Sequence, residues 1–217
     1  MIRHILFDLD CTLYPASSGL EDEVLVRMKQ YLACFLGKSV EEAWDLRRDH
    51  IGRYGTTLEW LMAEKGFTDI DDYLRKLHPE DEAESLPPDP GLRRFLESLP
   101  CARSVLTNAP GFHAERIIKK LGLEGVFTAV FDIESNSFMG KPHASAFRNA
   151  LNALGLRIDE ALFIDDLPRY VEGFIALGGK GILLDERDAY RGYPHERIKN
   201  LREITRFLGE APGSAET

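Results

Sequence analysis

Ile5-Leu6-Phe7-Asp8-Leu9-Asp10-Cys11-Thr12-Leu13 is the stretch on which the fold turns. Ile5 to Leu9 is an apolar run broken only by Asp8, the pattern of a parallel strand buried on both faces. Similar runs recur at Ser104–Thr107, Val126–Phe131, Ala161–Ile164 and Gly181–Leu184. Between the later runs lie helical spacings: Ile117, Ile118 and Leu121, then Ala146, Phe147, Ala150, Leu151 and Leu154. Strands alternating with helices predict an α/β fold, a Rossmann-like parallel sheet with helices on both faces.

The alternation is interrupted between the first two strands. From about Pro15 to Pro90 the signals are helical: Val24, Met28, Tyr31 and Leu32, then Ala43, Trp44 and Leu46, then Leu58, Leu61 and Met62. Residues 15–88 are therefore expected to form a small all-helical cap, with residues 1–14 and 89–217 forming the core domain. The return linker, Pro87-Pro88-Asp89-Pro90, is stiff and cannot continue a helix. The acidic run Glu80–Glu84 just before it reads as a solvated loop. The Gly-, Ala-, Ser- and Pro-rich tail Gly209–Thr217 is expected to fray.

Composition narrows the function. A chain of 217 residues with 44% apolar content has room for one α/β core and a modest insertion. A net charge of −9 argues against nucleic-acid binding and against attraction to an anionic membrane, both of which need clustered Lys and Arg. Three scattered cysteines, Cys11, Cys34 and Cys101, suit reduced thiols better than a disulfide framework. The first ten residues contain two acids and no signal-type apolar region, and no apolar run approaches the roughly 20 residues that span a bilayer. The expectation is a cytoplasmic protein, a monomer or weak homodimer.

The acids carry the chemistry. Asp8 ends the first predicted strand and Asp165-Asp166 follows the strand Ala161–Ile164. In open parallel sheets the ligand crevice lies outside the carboxyl ends of the strands, so acids far apart in sequence can converge there. Converging carboxylates repel unless a hard cation joins them, and oxygen-only ligands suit Mg²⁺. Asp also caps helices well, but capping does not explain two strands ending alike. Zinc does not fit the histidines, which show no HExxH or paired spacing.

Asp8-Leu9-Asp10-Cys11-Thr12-Leu13 resembles the DxDxT(L/V) first motif of the haloacid dehalogenase superfamily. Leu106-Thr107-Asn108 is similar to its second motif, Gly140-Lys141-Pro142 to its third, and Ile164-Asp165-Asp166 to its fourth, in the right order. The resemblance implies an Mg²⁺-dependent phosphomonoester hydrolase in which Asp8 is the nucleophile and forms an aspartyl-phosphate. Asp10 would then be the general acid and base. The implied metal ligands are the Asp8 and Asp166 carboxylates and the Asp10 carbonyl, with Asp165 behind them or reaching the metal through water. Thr107, Asn108 and Lys141 would bind the phosphoryl group, Lys141 from the start of a helix opened by Pro142. Bound metal and local cations would have to overcome the repulsion between an acidic protein and a phosphate ester. The fourth motif departs from the usual pattern: Leu167 and Tyr170 stand where many relatives carry Ser and Asn.

Within the superfamily the chain resembles pyrimidine 5′-nucleotidase-like proteins through Phe7–Pro15, Tyr54-Gly55-Thr56-Thr57-Leu58, Pro88-Asp89-Pro90 and Thr107-Asn108-Ala109 with His113. The implied partner is a small phosphate monoester, with nucleoside 5′-monophosphates among the candidates. Tyr54 and Trp60 either stack a base or pack the cap's own core. His113 either faces the leaving group or lies at the surface or a helix cap. Alternatives are a phosphatase for sugar or carboxylate phosphates such as phosphoglycolate, and a catalytically weak phosphometabolite-binding protein. A 2-haloacid dehalogenase would share Asp8 but has no need of Asp10.

Overall fold

A computed structural model of the chain describes residues 1–208, so the tail Gly209–Thr217 lies outside the described residues. Six strands, β1 (His4–Phe7), β2 (Ala102–Leu106), β3 (Val130–Phe131), β4 (Ala161–Asp165), β5 (Lys180–Leu184) and β6 (Arg197–Ile198), form one sheet in the order β3-β2-β1-β4-β5-β6. Every pairing is parallel. Phe7 aligns with Val105 of β2 and Ile164 of β4, so the residues that follow these strands emerge side by side.

The apolar run of β1 serves two cores. Ile5 and Phe7 pack into a cluster with α5 (Leu92–Glu97) and α6 (Gly111–Lys120) through Leu92, Leu96, Ala114 and Ile117. Leu6 points the other way, into a cluster with Phe147 of α7 (Ala144–Ala153) and Phe174 of α8 (Pro168–Ala176). Phe147, Phe163 and Phe174 form an aromatic triangle with ring centroids 5.3–5.4 Å apart. Helices on both faces of a parallel sheet are the expected α/β architecture.

Several boundaries differ from the sequence reading. β1 stops at Phe7 because Asp8 N–H makes its last bond to Ile164 O, at 2.8 Å, and the chain then turns. Thr12 and Leu13 N–H both return to Leu9 O, and Cys11 takes the left-handed φ of 58° that closes the turn. The strand predicted from Val126 begins only at Val130, since Val126 N–H closes a turn onto Leu123 O after Gly125. Pro142 precedes the first turn of α7, which starts at Ala144, so the expected helix-opening proline is not one. β6 has two residues, too few to produce a run.

Between β1 and β2 the chain forms α1 (Leu20–Leu36), α2 (Val40–His50), α3 (Thr57–Lys65) and α4 (Ile70–Leu77). Gly37, at φ 61°, ends α1 in the left-handed conformation, and Ser39 with Glu42 makes a reciprocal capping box on α2. Leu32, Ala43, Trp60, Leu61 and Tyr73 share a core of their own. Trp60 is wholly buried there with its Nε1 donating to Glu64 Oε2 at 3.1 Å, and Tyr54 donates its hydroxyl to Glu64 Oε1 at 2.8 Å. Both aromatics thus pack the insertion. The acidic run is also not uniformly solvated: Glu80, Asp81 and Glu84 are exposed, but Glu82 is buried.

Candidate active site

The C-terminal ends of β1, β2 and β4 bring the predicted residues together. Asp8 follows β1, Thr107 follows β2, Asp165 closes β4 and Asp166 comes next. Carboxylate oxygens of Asp8, Asp165 and Asp166 lie within 4.8 Å of one another. Lys141, buried, donates to Asp8 Oδ1 and to Asp165 Oδ2, each at 2.6 Å. The other Asp8 oxygen accepts the Thr12 hydroxyl at 3.2 Å, and the other Asp165 oxygen accepts Leu167 N–H at 2.9 Å.

One ammonium does not balance three carboxylates. Burial pushes Asp8 and Asp165 above the usual carboxylate range, although Lys141 pulls both down. Asp166 is pushed up to about 9, first by burial and then by Asp165 and Asp8. Burial disfavours the charge of Lys141, but Asp165 and Asp8 outweigh it and hold the ammonium firmly protonated. This excess of negative charge on an all-oxygen donor set fits a divalent cation of the hard type.

Lys141 is aimed by its backbone. Asn108 Nδ2 donates to Lys141 O at 2.9 Å, and Lys141 N–H donates to Asn108 Oδ1 at 2.7 Å. The Asn108 side chain is therefore committed to Lys141 rather than to a ligand. The Thr107 hydroxyl oxygen accepts Ala109 N–H at 3.0 Å and still has its proton to donate.

Asp10 is held by residues from segments far apart in sequence. Its Oδ1 accepts the Tyr14 hydroxyl at 2.6 Å and lies 2.7 Å from His113 Nε2. His113 is fully buried, with Nδ1 2.8 Å from Glu82 Oε1. Glu82 also receives His78 Nδ1 at 3.0 Å and the Arg116 guanidinium. Burial works against the His113 charge, but Asp10 and Glu82 raise it to about 10; both ring nitrogens then donate. Burial likewise opposes ionisation of Asp10, yet His113 and Tyr14 lower it to about 2.

This network, with Glu82 and His78 at its centre, escaped the sequence reading. His78, Glu82 and His113 also lie close enough to share a metal ion, a grouping hidden from spacing rules because His113 belongs to α6. The available signals were the i, i+3 pair His113 and Arg116, which share a helix face, and the i, i+4 pair His78 and Glu82. His113 is neither a surface nor a capping residue, since it touches Asp10 from the core.

Leu167 and Tyr170 take different places. Leu167 is at the cavity mouth and exposed, whereas Tyr170 is half-buried beside the Phe147–Phe163–Phe174 cluster with its ring centroid 5.1 Å from Lys141 Nζ. Its hydroxyl donates to Gly55 O across to the helical insertion at 3.4 Å, and Arg169 Nη2 reaches Tyr54 O at 2.6 Å. Glu59 of α3 meets His143 Nε2 at 2.8 Å. Gly55 fits here because a Cβ would lie 3.0 Å from both Lys141 O and His143 Cδ2.

Insertion and core together enclose a cavity of about 380 Å³. Asp8, Asp10, Asp166, Thr107, Asn108 and Lys141 line one part of it. The insertion adds Val24, Met28, Arg47, Ile51 and Tyr73, but neither Tyr54 nor Trp60. Glu21, at the start of α1, also faces it; burial and then Asp10 push this acid up to about 8.

Acids gathered beyond a central parallel strand and beside a pinned lysine are the signature the four motifs describe, and the chain belongs to the haloacid dehalogenase-like hydrolase family, whose model matches residues 2–178. A glyceraldehyde 3-phosphate phosphatase of Methanocaldococcus jannaschii is 28% identical over 96% of this chain and 99% of its own length. Phosphate metabolism protein 8 of Saccharomyces cerevisiae is 29% identical over 79% of this chain, which spans only 58% of the yeast protein. A phosphatase of the same family from Thermococcus onnurineus superposes with a TM-score of 0.66, at 22% identity over 96% of this chain and 98% of that one. With the family and these relatives, the chain is a phosphatase. Among the described residues no helix is long and apolar enough to cross a membrane.

Proposed function

We propose that the chain is an Mg²⁺-dependent phosphomonoesterase that hydrolyses a small phosphometabolite through an aspartyl-phosphate on Asp8. The observation that carries this reading is the convergence of Asp8, Asp165 and Asp166 within 4.8 Å, with Lys141 bonded to two of them. The Asp8 and Asp166 carboxylates and the Asp10 carbonyl would hold Mg²⁺. Asp165 is the poorer candidate for a direct ligand, because both its oxygens are already engaged by Lys141 and Leu167 N–H. When bound, the ion supplies charge neutralisation for the phosphoryl oxygens.

An Asp8 carboxylate oxygen attacks phosphorus as the bond to the leaving oxygen breaks, and that oxygen takes a proton from Asp10. Water then attacks the acyl phosphate and gives its proton back to Asp10, releasing phosphate and restoring Asp8. Asp10 Oδ1 is occupied by Tyr14 and His113, which leaves Oδ2 for the proton transfers. Asp10 is held as the carboxylate, the form required of the base in the second step. Its proton for the first step is taken up as the anionic ester arrives, since added negative charge raises the affinity of a carboxylate for protons. Lys141 and the Thr107 hydroxyl offer donors to the transferring group.

The apolar wall of the cavity and the small substrate named for the archaeal relative support a compact leaving group. Nucleoside 5′-monophosphates belong in the same screen as sugar and carboxylate phosphates. The test is Asp8→Asn, which preserves shape and removes the nucleophile. Mg²⁺-dependent hydrolysis of p-nitrophenyl phosphate should disappear, and more than a few per cent retained by the pure variant would sink the mechanism.

A further inference from the structure

Two arginines in the cavity have no part in the chemistry above. Arg47 comes from α2 and Arg169 from the start of α8, so one belongs to the insertion and the other to the core. Among the described residues neither has a carboxylate within the 4.0 Å of an ion pair. Elsewhere on this acidic protein arginines are commonly paired, as Arg3 is with Glu160 and Arg197 with Asp185.

Both guanidinium groups are nevertheless fixed. Arg47 Nε donates to Thr57 Oγ1 at 2.7 Å and its guanidinium carbon lies 4.4 Å from the Trp44 ring centroid. Arg169 donates one nitrogen to Tyr54 O and lies 5.4 Å from the centroid of Tyr170. Among the described residues, the remaining N–H groups of Arg47 have no protein acceptor. Burial lowers the proton affinity of Arg47, and the neighbouring positive charge of Arg169 adds to that effect. Half-buried like charges without a counterion destabilise the fold, and a rigid planar fork is the arrangement that recognises a carboxylate or phosphate.

We propose that Arg47 and Arg169 form a second anion site, so that the ester hydrolysed here carries a further carboxylate or phosphate on its leaving alcohol. This rests on the phosphomonoesterase reading and names its substrate class. The transferring phosphoryl group lies with Asp8 and Lys141, the linking carbons lie along Val24, Met28 and Ile51, and the second anion neutralises the arginine pair. An ester ending in a hydroxyl or aldehyde would leave both charges unanswered. Since the pair spans insertion and core, the second anion also bridges the two.

The experiment compares kcat/KM, with Mg²⁺, for esters matched in skeleton but differing in the second anion: 3-phosphoglycerate against glycerol 3-phosphate, and fructose 1,6-bisphosphate against fructose 6-phosphate. The wild-type protein should prefer the doubly anionic member of at least one pair by about 10-fold or more, the scale of a charge-assisted bond, and the responding pair separates carboxylate from phosphate. Arg47→Gln and Arg169→Gln should each shrink that ratio about 10-fold, mainly through KM, while Arg47→Lys retains part of it. Using a ratio removes any loss of folded protein. No preference in either pair, or a preference unchanged in both glutamine variants, overturns the proposal. Hydrolysis of p-nitrophenyl phosphate without such preference overturns the anion site alone. Absence of all hydrolysis overturns the enzymatic reading; calorimetric binding of the four esters to Asp8→Asn then decides the anion site, equal affinities within each pair refuting it.

Discussion

Asn108 and Lys141 clasp each other's polar groups reciprocally, amide nitrogen to carbonyl at 2.9 Å and backbone N–H to amide oxygen at 2.7 Å. The residue before Lys141 makes this possible. A Cβ on Gly140 would sit 2.2 Å from Asn108 Oδ1, so Gly140→Ala must push the amide away. Losing the clasp leaves the ammonium charge in place but frees its backbone. Turnover by Gly140→Ala or Asn108→Ala should fall about 10–100-fold, the range seen when supporting contacts of a catalytic group are removed. Steady-state kinetics on folded variants checks this, and activity within twofold of wild type would contradict it.

Asp165 and Asp166 should separate in a pair of measurements. Asp165→Ala strips a buried partner from Lys141 and should cost about 3–5 kcal/mol of stability. Asp166→Ala removes a carboxylate that is crowded by like charges, so metal-free stability should hold or rise while Mg²⁺ binding weakens most. Denaturant unfolding without metal and Mg²⁺ titration by calorimetry report the two effects. Stronger loss of Mg²⁺ affinity in Asp165→Ala would reverse the assignment.

Stability should follow pH through Glu82 and His113. Burial opposes the charge on Glu82, but His113 and His78 lower its pKa to about 2, below the ordinary 4.5, so its contribution is complete above about pH 4.5 and is lost as pH falls through 2. The pKa of His113 is raised to about 10 from 6.5, so its contribution is complete below about pH 6.5 and is lost as pH rises through 10. The sum of the two is therefore largest near pH 4.5–6.5. His113→Gln leaves Asp10 and Glu82 without their shared cation and should lose about 3 kcal/mol or more, along with the alkaline limb. Thermal unfolding of metal-free protein from pH 2 to 10 tests both statements.

The departure in the fourth motif tests Tyr170. Its ring fills space between Lys141 and the aromatic triangle, so Tyr170→Asn should open a cavity and cost about 2–4 kcal/mol. The double variant Leu167→Ser with Tyr170→Asn should therefore unfold at lower temperature without turning over faster. A gain of about 10-fold in activity at little cost in stability would instead mark the wild-type residues as an erosion of the metal's supporting contacts.

The parallel sheet and the acids beyond it were legible because each signal is local: an apolar run ends and a carboxylate follows, as at Phe7-Asp8 and Ile164-Asp165. The helical insertion was legible through periodicity for the same reason. What escaped needs two distant segments to fold against each other. Glu82 looked like one more acid in a charged run, and only the docking of α6 buries it under His113 and Arg116. Arg47 carried no signal in the sequence, and only the placement of α2 brings it to the cavity. For Trp60 the sequence left base stacking and core packing both open, and its complete burial decides for packing.

The central position of β1 also has a kinetic consequence. His4 faces Ala102 on one side and Ala161 on the other, so the strand made first finds both its partners only after the entire helical insertion has been traversed. Closing so long a loop is entropically unfavourable, and folds built on such pairings form slowly. Helices α1 to α4 make mostly near-neighbour contacts and can collapse before the sheet exists, which draws the two ends of β1 and β2 toward each other. A weakened insertion would then reveal itself as slow refolding of the sheet it interrupts, with strand edges left open to aggregation in the interval.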